Sequence, residues 1–387
     1  MRLTVLVAAI VLAAAPGAGA QAPVDVKAQI GQLAALDYPI RTRAAQALRR
    51  VPAAEAVPAL TEAVRLHPDQ FVRYRALVVL TSFNDRGTGD LIRSLLMDTN
   101  DRLREVGYKW FEQHPDPGMR FALLSALQSE QAEFVRPALV AALAPLADDP
   151  EVRRTLIGEV TRGLDFFRSA TIEALGRHRA TYAVEAIAGV AQNDGPLQAD
   201  AVLALGRIGG EAAKAAVAAV TTAPADVRSF VRAAQCLLGG LPGGPSGDNC
   251  DTHLKALIDA ATASGATGST ARAALNAIAA MAADERTAPL LALVGLSSRP
   301  AGVRNAAAVA LAAAAVRRPD MMIAWLRAIP DAERAAAIAM LKDGCASLEE
   351  DFAEEQFFAA VRASYWSAAD NSPARALSAT LIQELEF

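Results

Sequence analysis

A short sequence pattern returns eleven times along the chain, and it constrains the fold more than any other feature. In each copy a polar residue, usually arginine, lies seven positions before a large apolar residue, with small residues between them. Spacings of about 30–32 residues between copies are typical of a solenoid built from stacked repeats. The clear copies begin at Arg41, Arg73, Arg104, Arg136, Arg168, Gln198, Arg304, Arg334 and Arg375, and weaker copies lie near Arg232 and Arg272.

Residues 194–224 show what one repeat is expected to contain. Asp194 is a residue type favoured at a helix start, and the apolar residues up to Leu205 recur at helical spacing. Gly209 ends that helix, and a second, alanine-rich helix follows. One such hairpin cannot bury its apolar face alone. The sequence therefore predicts an all-α superhelix, a solenoid of about ten or eleven stacked helical hairpins.

Two short phrases in the middle of the chain carry a family resemblance: Ala174-Leu175-Gly176-Arg177-His178 and Ala204-Leu205-Gly206-Arg207-Ile208. They resemble the short HEAT repeat, a subtype of about 30 residues that is also found in phycobilisome-lyase-like proteins. The resemblance covers about residues 37–387 and implies a scaffold fold rather than an activity. Lyase members of this family act on bilin chromophores. Because this chain shares only the scaffold phrase with them, the resemblance does not predict bilin chemistry here.

Acidic or amide residues precede several of the repeated arginines by four positions. In such arrays they resemble a ladder of hydrogen bonds between repeats, in which this residue caps its helix and the arginine reaches a neighbouring turn. A row of arginines that binds an anionic ligand is the alternative, but the acidic partners and a net charge of −4 disfavour it. The predicted ladder consists of Asp37, Arg41, Asp69, Arg73, Asn100, Arg104, Arg136, Arg168, Arg304 and Arg334.

The repeat spacing lengthens at two places, near residues 239–250 and 343–356. Insertions in solenoids emerge as loops on one face and often carry function, although a flexible loop and a solvated helix start are simpler interpretations. Cys236 and Cys250 flank the first insertion, so they can form a disulfide in an oxidising compartment and stabilise the fold by about 3 kcal/mol. The alternative is that these two cysteines and Cys345 are all unpaired core residues.

Residues 1–20 have the pattern of a secretory signal peptide. Arg2 supplies a positive start, residues 5–15 are apolar, and small residues precede a cleavage site near Ala20. Residues 21–36 are then predicted to form an N-terminal capping helix, and residues 37–387 the repeat solenoid. No later stretch is long and apolar enough to predict a membrane span. The mature protein is expected to be exported, and to be periplasmic or extracellular.

Motifs for catalysis, metal binding or cofactor binding are lacking in the sequence. The four histidines, at positions 67, 114, 178 and 253, fall in different repeats and lack zinc-ligand spacing. Glycine-rich nucleotide loops and nucleophile motifs are also missing. Because charged residues make up 21% of the chain and the net charge is −4, no nucleic-acid partner is expected. The sequence predicts no catalytic residue, no metal site and no cofactor.

Positions one, five and eight after the repeated arginine are expected to face away from the seam between repeats. The predicted function is a non-enzymatic exported scaffold that binds an unknown protein or peptide partner on its concave face, with the oligomeric state open. The alternatives are an enzyme or cofactor handler resembling the HEAT-like chromophore lyases, and a purely structural component of the cell envelope. The candidate partner-binding residues are Gln46, Arg49, Tyr74, Glu105, Lys109 and Glu112.

Overall fold

A computed structural model describes residues 24–193, 195–239, 250–263, 268–281, 287–296, 300–347 and 352–385, and only the backbone of residues 352–356. Every regular element in these segments is a helix, which confirms the predicted all-α class. The predicted signal peptide, Asp194, residues 240–249 of the first predicted insertion and residues 348–351 of the second lie outside the described residues. None of the described helices is long and apolar enough to cross a membrane.

The eleven copies of the sequence pattern fall on eleven different helices, which we call A helices. They are α2 (Tyr38–Arg49), α4 (Gln70–Thr81), α6 (Asp101–Gln113), α8 (Arg136–Leu143), α10 (Asp165–Arg177), α12 (Gln198–Ile208), α14 (Ala225–Gly239), α16 (Gly268–Met281), α18 (Ala301–Arg317), α20 (Asp331–Cys345) and α22 (Pro373–Glu384).

Eleven further helices, which we call B helices, alternate with the A helices. They are α1 (Val26–Gln32), α3 (Ala53–Leu66), α5 (Thr88–Leu95), α7 (Arg120–Ser129), α9 (Pro150–Glu159), α11 (Val184–Ala191), α13 (Gly210–Ala218), α15 (Cys250–Thr262), α17 (Thr287–Leu296), α19 (Pro319–Ala328) and α21 (Phe352–Ser367). Short 3-10 turns lie at Pro117–Met119, Glu133–Val135, Ala144–Leu146 and Thr181–Ala183. Many A helices pack closely on the B helix before them, as α4 does on α3, α12 on α11 and α18 on α17.

Successive A helices pack closely because their sequences place glycine at the contact. A Cβ atom on Gly176 of α10 would lie 2.8 Å from the Cα atom of Ala204 on α12. A Cβ atom on Gly206 of α12 would lie 2.7 Å from the Cα atom of Ala234 on α14. Both distances are too short for a real side chain, so the glycine of the repeated phrase sets how near adjacent A helices can come.

The A helices line the concave side of the solenoid. Arg207 on α12 donates from Nη2 to the carbonyl oxygen of Ala280 on α16, at 2.8 Å, across the repeat that contains α14. Arg177 on α10 lies 2.9 Å from Glu112 on α6, across the repeat that contains α8. Only helices on the inner side of a tight curve can approach one another in this way. The B helices therefore form the outer row.

The end of the chain contacts its beginning, so the superhelix closes on itself. Gln46 on α2 donates from Nε2 to the carbonyl oxygen of Leu385 at 3.2 Å. Arg362 on α21 donates from Nε to the carbonyl oxygen of Arg49 at 3.1 Å, and its guanidinium lies 3.5 Å from the centre of the Phe83 ring. The sequence did not predict this closure, because a repeat pattern treats the two ends of a solenoid as free.

The repeated arginines join the B helices of adjacent repeats, and Arg104 shows the arrangement most fully. It donates from Nη1 to the carbonyl oxygen of Asp98 at 2.8 Å, just after α5. Its Nε and Nη2 atoms donate to Glu130, just after α7, at 2.9 and 2.7 Å. Similar bonds run from Arg41 to the Ala35 carbonyl, Arg73 to the Val64 carbonyl and Asp98, Arg136 to the Leu127 carbonyl and Glu159, Arg168 to the Val160 carbonyl, and Arg334 to the Leu326 carbonyl.

The residue four positions before the arginine caps its own helix. The side chains of Asp37, Asp69 and Asn100 accept hydrogen bonds from backbone N–H groups in the first turns of α2, α4 and α6. The carboxylates that pair with Arg73 and Arg104 are different residues, placed at the end of the following B helix. Arg304 lies on α18 and is exposed.

The structure joins Cys236, near the end of α14, to Cys250, at the start of α15, in a disulfide. The bond connects two helices of one hairpin across residues 240–249, which are not described. Cys345 is buried on α20 and takes no part in this bond.

Candidate functional site

Side chains from five A helices meet near the centre of the closed superhelix, around a cavity of about 290 Å³ that we call the axial cavity. It combines two carboxylates and two guanidinium groups with a side-chain amide and an aromatic ring. These groups belong to Glu173 on α10, Asp200 and Arg207 on α12, Phe230 on α14, Asn276 on α16 and Arg317 on α18.

Glu173 lies between two arginines in the axial cavity. Its Oε1 atom is 3.6 Å from Arg207 Nη1 and 3.5 Å from Arg317 Nη2. Burial alone would raise the pKa of Glu173, but the nearby arginines outweigh burial and hold this pKa below its ordinary value. Burial, together with the charge of Arg317, lowers the pKa of Arg207 to about 10.

Asp200 is shifted in the opposite direction. Burial raises its pKa above the ordinary value, although Ser169 opposes the rise by donating to Oδ2 at 2.7 Å. The negative charge of Glu173 adds to the rise. Two carboxyl groups whose pKa values are displaced in opposite directions are a feature of sites that move protons, and also of internal ion-pair networks. Here the carboxylates and guanidiniums are equal in number, as expected of an internal network.

A second charged cluster joins α6 to α10 on the concave side. Glu112 accepts from Arg177 Nη2 at 2.9 Å and from His178 Nε2 at 3.2 Å. Burial alone would raise the pKa of Glu112, but His178 and Arg177 lower it below the ordinary value. One turn away on the same helix, Lys109 lies 2.9 Å from Glu105. The three predicted residues on α6 are therefore engaged in ion pairs within the chain.

Two of the six predicted partner-binding residues are not accessible in this structure. Gln46 is 3% exposed and Arg49 is 1% exposed, because the last hairpin covers this part of α2. The prediction that they contact an external partner requires correction, because they contact the last two helices and Leu385 of the same chain. Tyr74 is half-buried, and its ring centre lies 6.3 Å from that of Phe71.

The sequence reasoning missed the residues of the axial cavity, although part of the signal was present. Glu173 lies five positions after Arg168, which is the same relative position as Gln46 and Lys109 in earlier repeats. Extending the positional rule to the middle repeats would have found it. Arg207 and Arg317 lie at different numbers of residues from the start of the sequence pattern in their repeats. The pattern therefore does not relate them, and only the curvature of the solenoid brings them together. In the described part of the chain no group of three or more His, Cys, Asp and Glu side chains is arranged to hold a metal ion.

One edge of the solenoid carries a row of exposed apolar side chains, which we call the apolar edge. These residues lie at turns that lead from a B helix into the next A helix, and all such turns fall on the same edge of a stack of parallel hairpins. Leu36 is 99% exposed and Met97 is 91% exposed. The apolar edge consists of Leu36, Tyr38, Leu66, Phe71, Met97, Leu164 and Phe166.

Arginine side chains are interleaved with the aromatic residues of the apolar edge. The guanidinium carbon of Arg41 lies 5.3 Å from the Tyr38 ring centre and 5.5 Å from the Phe71 ring centre. Arg75 lies 5.0 Å from the Phe71 ring centre. These distances are within the range of cation–π attraction, so the edge presents apolar and positive groups together.

Stacked antiparallel helical hairpins with an inner and an outer row of helices define this protein as an α-solenoid. Residues 29–109 match the family model of HEAT repeats, which confirms the resemblance to HEAT-repeat proteins. The phycobilisome-lyase-like subtype stays a prediction. No curated protein sequence matches the chain.

Solved helical-repeat structures resemble the chain in fold. Human deoxyhypusine hydroxylase is 18% identical, with a TM-score of 0.28, and the match covers 73% of this chain and 99% of that one. Importin beta is 14% identical, with a TM-score of 0.38, over 93% of this chain and 55% of importin beta. UNC-45 from Drosophila melanogaster is 14% identical, with a TM-score of 0.30, over 92% of this chain and 62% of UNC-45. At these identities the likeness concerns the fold alone.

Proposed function

We propose that this protein is a non-enzymatic, exported scaffold that binds protein or peptide partners on its concave face, with the apolar edge as the entrance to that surface. A HEAT-repeat solenoid is compatible with a protein-binding scaffold. The observation that carries the proposal is the set of exposed apolar side chains at four of the turns from a B helix into an A helix, α1–α2, α3–α4, α5–α6 and α9–α10. Large apolar side chains gathered on one part of a surface mark interaction sites, whereas single exposed ones need no explanation.

The concave residues and the apolar edge form one continuous surface. Phe71 belongs to the edge, and its ring lies next to Tyr74, which was predicted to contact the partner. Lys109 and Glu112 follow on the next A helix. Because arginines accompany the aromatic residues of the edge, a partner segment with apolar residues flanked by acidic ones would complement it.

Crosslinking in the native organism followed by mass spectrometry identifies the partners, and a pull-down with purified variants tests the surface. We expect the triple variant Tyr74→Ala, Lys109→Ala, Glu112→Ala to capture less partner. The double variant Leu66→Ala, Met97→Ala should also capture less.

Leu293→Ala is the matched control, since Leu293 is an exposed leucine on α17, away from this surface. If the triple variant captured every partner unchanged, the concave surface would be the wrong one. If all variants behaved like the control, the scaffold proposal would fail on both surfaces.

Export is proposed from the signal-peptide pattern of residues 1–20. N-terminal sequencing of the protein isolated from the native envelope or culture fluid should begin at Gln21. Recovery of the chain from the cytosol with its N-terminal segment intact would contradict export.

A handler of a small molecule or cofactor is the second candidate, because the axial cavity contains converging polar groups and displaced pKa values. Its volume of about 290 Å³ lies at the lower limit of ligand sites, and its charges already balance, so we favour the scaffold. A chromophore or metal that co-purifies with the protein, and is lost with Arg207→Gln, would reverse this preference.

A further inference from the structure

A second cavity lies where the end of the solenoid meets its beginning, and its chemistry differs from that of the axial cavity. Its volume is about 400 Å³, and we call it the seam cavity. Residues from the C-terminal ends of α4 and α6 form one wall, and α21 forms the other. The lining residues are Thr81, Ser82, Phe83, Asn84, Trp110, Gln113, His114, Ala359, Ala360, Arg362 and Ala363.

Arg362 gives the seam cavity a buried positive charge that no described lining residue neutralises. Its side chain is 6% exposed, and no Asp or Glu occurs among the described residues that line the cavity. Burial, with no opposing ion pair, lowers the pKa of this guanidinium to about 10. A buried cation without a counterion is costly, in contrast to the paired arginines of the axial cavity.

The guanidinium of Arg362 is held in place but still has hydrogen-bonding capacity. Nε donates to the carbonyl oxygen of Arg49 at 3.1 Å, and Nη2 donates to that of Val51 at 3.4 Å. The Phe83 ring lies against one face of the group, with 3.5 Å between the guanidinium carbon and the ring centre. Nη1 makes no hydrogen bond to a described residue, so its N–H groups remain available to an acceptor.

The remaining walls supply an apolar surface. The Trp110 ring stacks on His114, with centres 4.0 Å apart and planes 11° apart, which fixes its orientation. Ala359 and Ala360 form a smooth wall on α21 opposite these rings. A flat, apolar group would fit between them.

We propose that the seam cavity binds a small carboxylic acid with an aromatic body, whose carboxylate pairs with Arg362. One guanidinium with a single free nitrogen matches a monoanion, whereas a phosphate dianion would bring more charge than it can neutralise. The volume of about 400 Å³ falls within the range of small-molecule sites. Because the two walls come from opposite ends of the chain, bound ligand would also hold the superhelix closed.

The test is isothermal titration of the purified full chain with phenylacetate and with its neutral analogue phenylacetamide. We expect saturable binding of phenylacetate, and binding of the amide that is weaker by about tenfold or more, because the amide lacks the charge that pairs with the guanidinium. Arg362→Gln should weaken phenylacetate binding by about tenfold or more for the same reason. The matched control is Arg162→Gln, which makes the same chemical change at an exposed arginine after α9 and should bind as the unmodified protein does.

Ala360→Leu fills the cavity from its α21 wall and leaves the arginine in place, so it tests the site even if Arg362→Gln does not fold. It should bind phenylacetate several-fold more weakly, with an unchanged far-ultraviolet circular dichroism spectrum. The proposal is overturned if phenylacetate shows no saturable binding, if the amide binds equally well, or if Ala360→Leu and a folded Arg362→Gln both bind normally. Binding of inorganic phosphate in preference to phenylacetate would overturn the choice of a carboxylate.

Discussion

The ion pair between Arg104 and Glu130 should contribute measurably to stability, and a double-mutant cycle with Arg104→Met and Glu130→Gln isolates that contribution. Two hydrogen bonds of 2.9 and 2.7 Å join the guanidinium and the carboxylate in a bidentate geometry. The side chains are 17% and 4% exposed. Arg104 also donates to the carbonyl oxygen of Asp98, so its removal leaves one carboxylate and one carbonyl without their partner.

The burial of the pair sets the expected magnitude. Exposed ion pairs contribute about 0–1 kcal/mol, and removing one partner of a fully buried pair costs about 3–5 kcal/mol. Because Glu130 is nearly buried and Arg104 partly so, Arg104→Met should lower the free energy of unfolding by about 2–3 kcal/mol. The coupling energy between Arg104 and Glu130 should be about 1.5–2 kcal/mol.

Arg168 provides the matched comparison, because it occupies the same position in a later repeat. It lies 2.9 Å from Asp165, but that carboxylate is 53% exposed and three residues away on the same helix. The coupling energy of this second pair should be below about 0.5 kcal/mol. Both cycles are measured by urea denaturation followed by circular dichroism at neutral pH.

The pH dependence gives an independent check. Burial alone would raise the pKa of Glu130, but hydrogen bonds from Arg104 and from the Ala132 N–H lower it below the ordinary value of 4.5. A carboxylate with a lowered folded-state pKa stabilises the protein above its unfolded-state pKa, and this stabilisation is lost as pH falls through the folded-state value. The stability difference between the unmodified protein and Arg104→Met should therefore shrink below pH 4.5. Equal coupling in the two pairs, or a difference that persists in acid, would refute this reasoning.

Three further changes test other contacts of the fold. Gly206→Ala should destabilise the protein by about 1–3 kcal/mol, because the new Cβ meets the next A helix. Gly189→Ala has open space around the new Cβ and should stabilise α11 by up to about 1 kcal/mol, and thermal melts compare the two variants. Cys236→Ser should lower stability by about 3 kcal/mol if Cys236 is bonded to Cys250, and mass spectrometry of unreduced protein that finds both thiols free would contradict the bond. Gln46→Ala should cost about 1 kcal/mol and speed amide exchange in α22, and unchanged exchange there would argue against ring closure.

The repeat pattern predicted the positions of the A helices because its signals act within a single repeat. Capping by Asp37 and Asp69 involves the backbone of the next few residues, so the sequence alone is enough to locate it. Gly206 and Leu205 likewise reflect contacts with an immediate neighbour in the stack. The carboxylate partner of Arg104 was not predicted, since Glu130 lies just after α7 and has no fixed spacing in later repeats.

The sequence by itself determined an all-α solenoid, and it predicted which side of each A helix faces inward. Tertiary structure alone decided what that inner side contacts. The curvature of a solenoid is the sum of small rotations between neighbouring repeats, and no local pattern encodes that sum. As a result, Gln46 is buried against the C-terminal helices, while Glu173 meets Arg317 in the axial cavity and Arg362 lines the seam cavity.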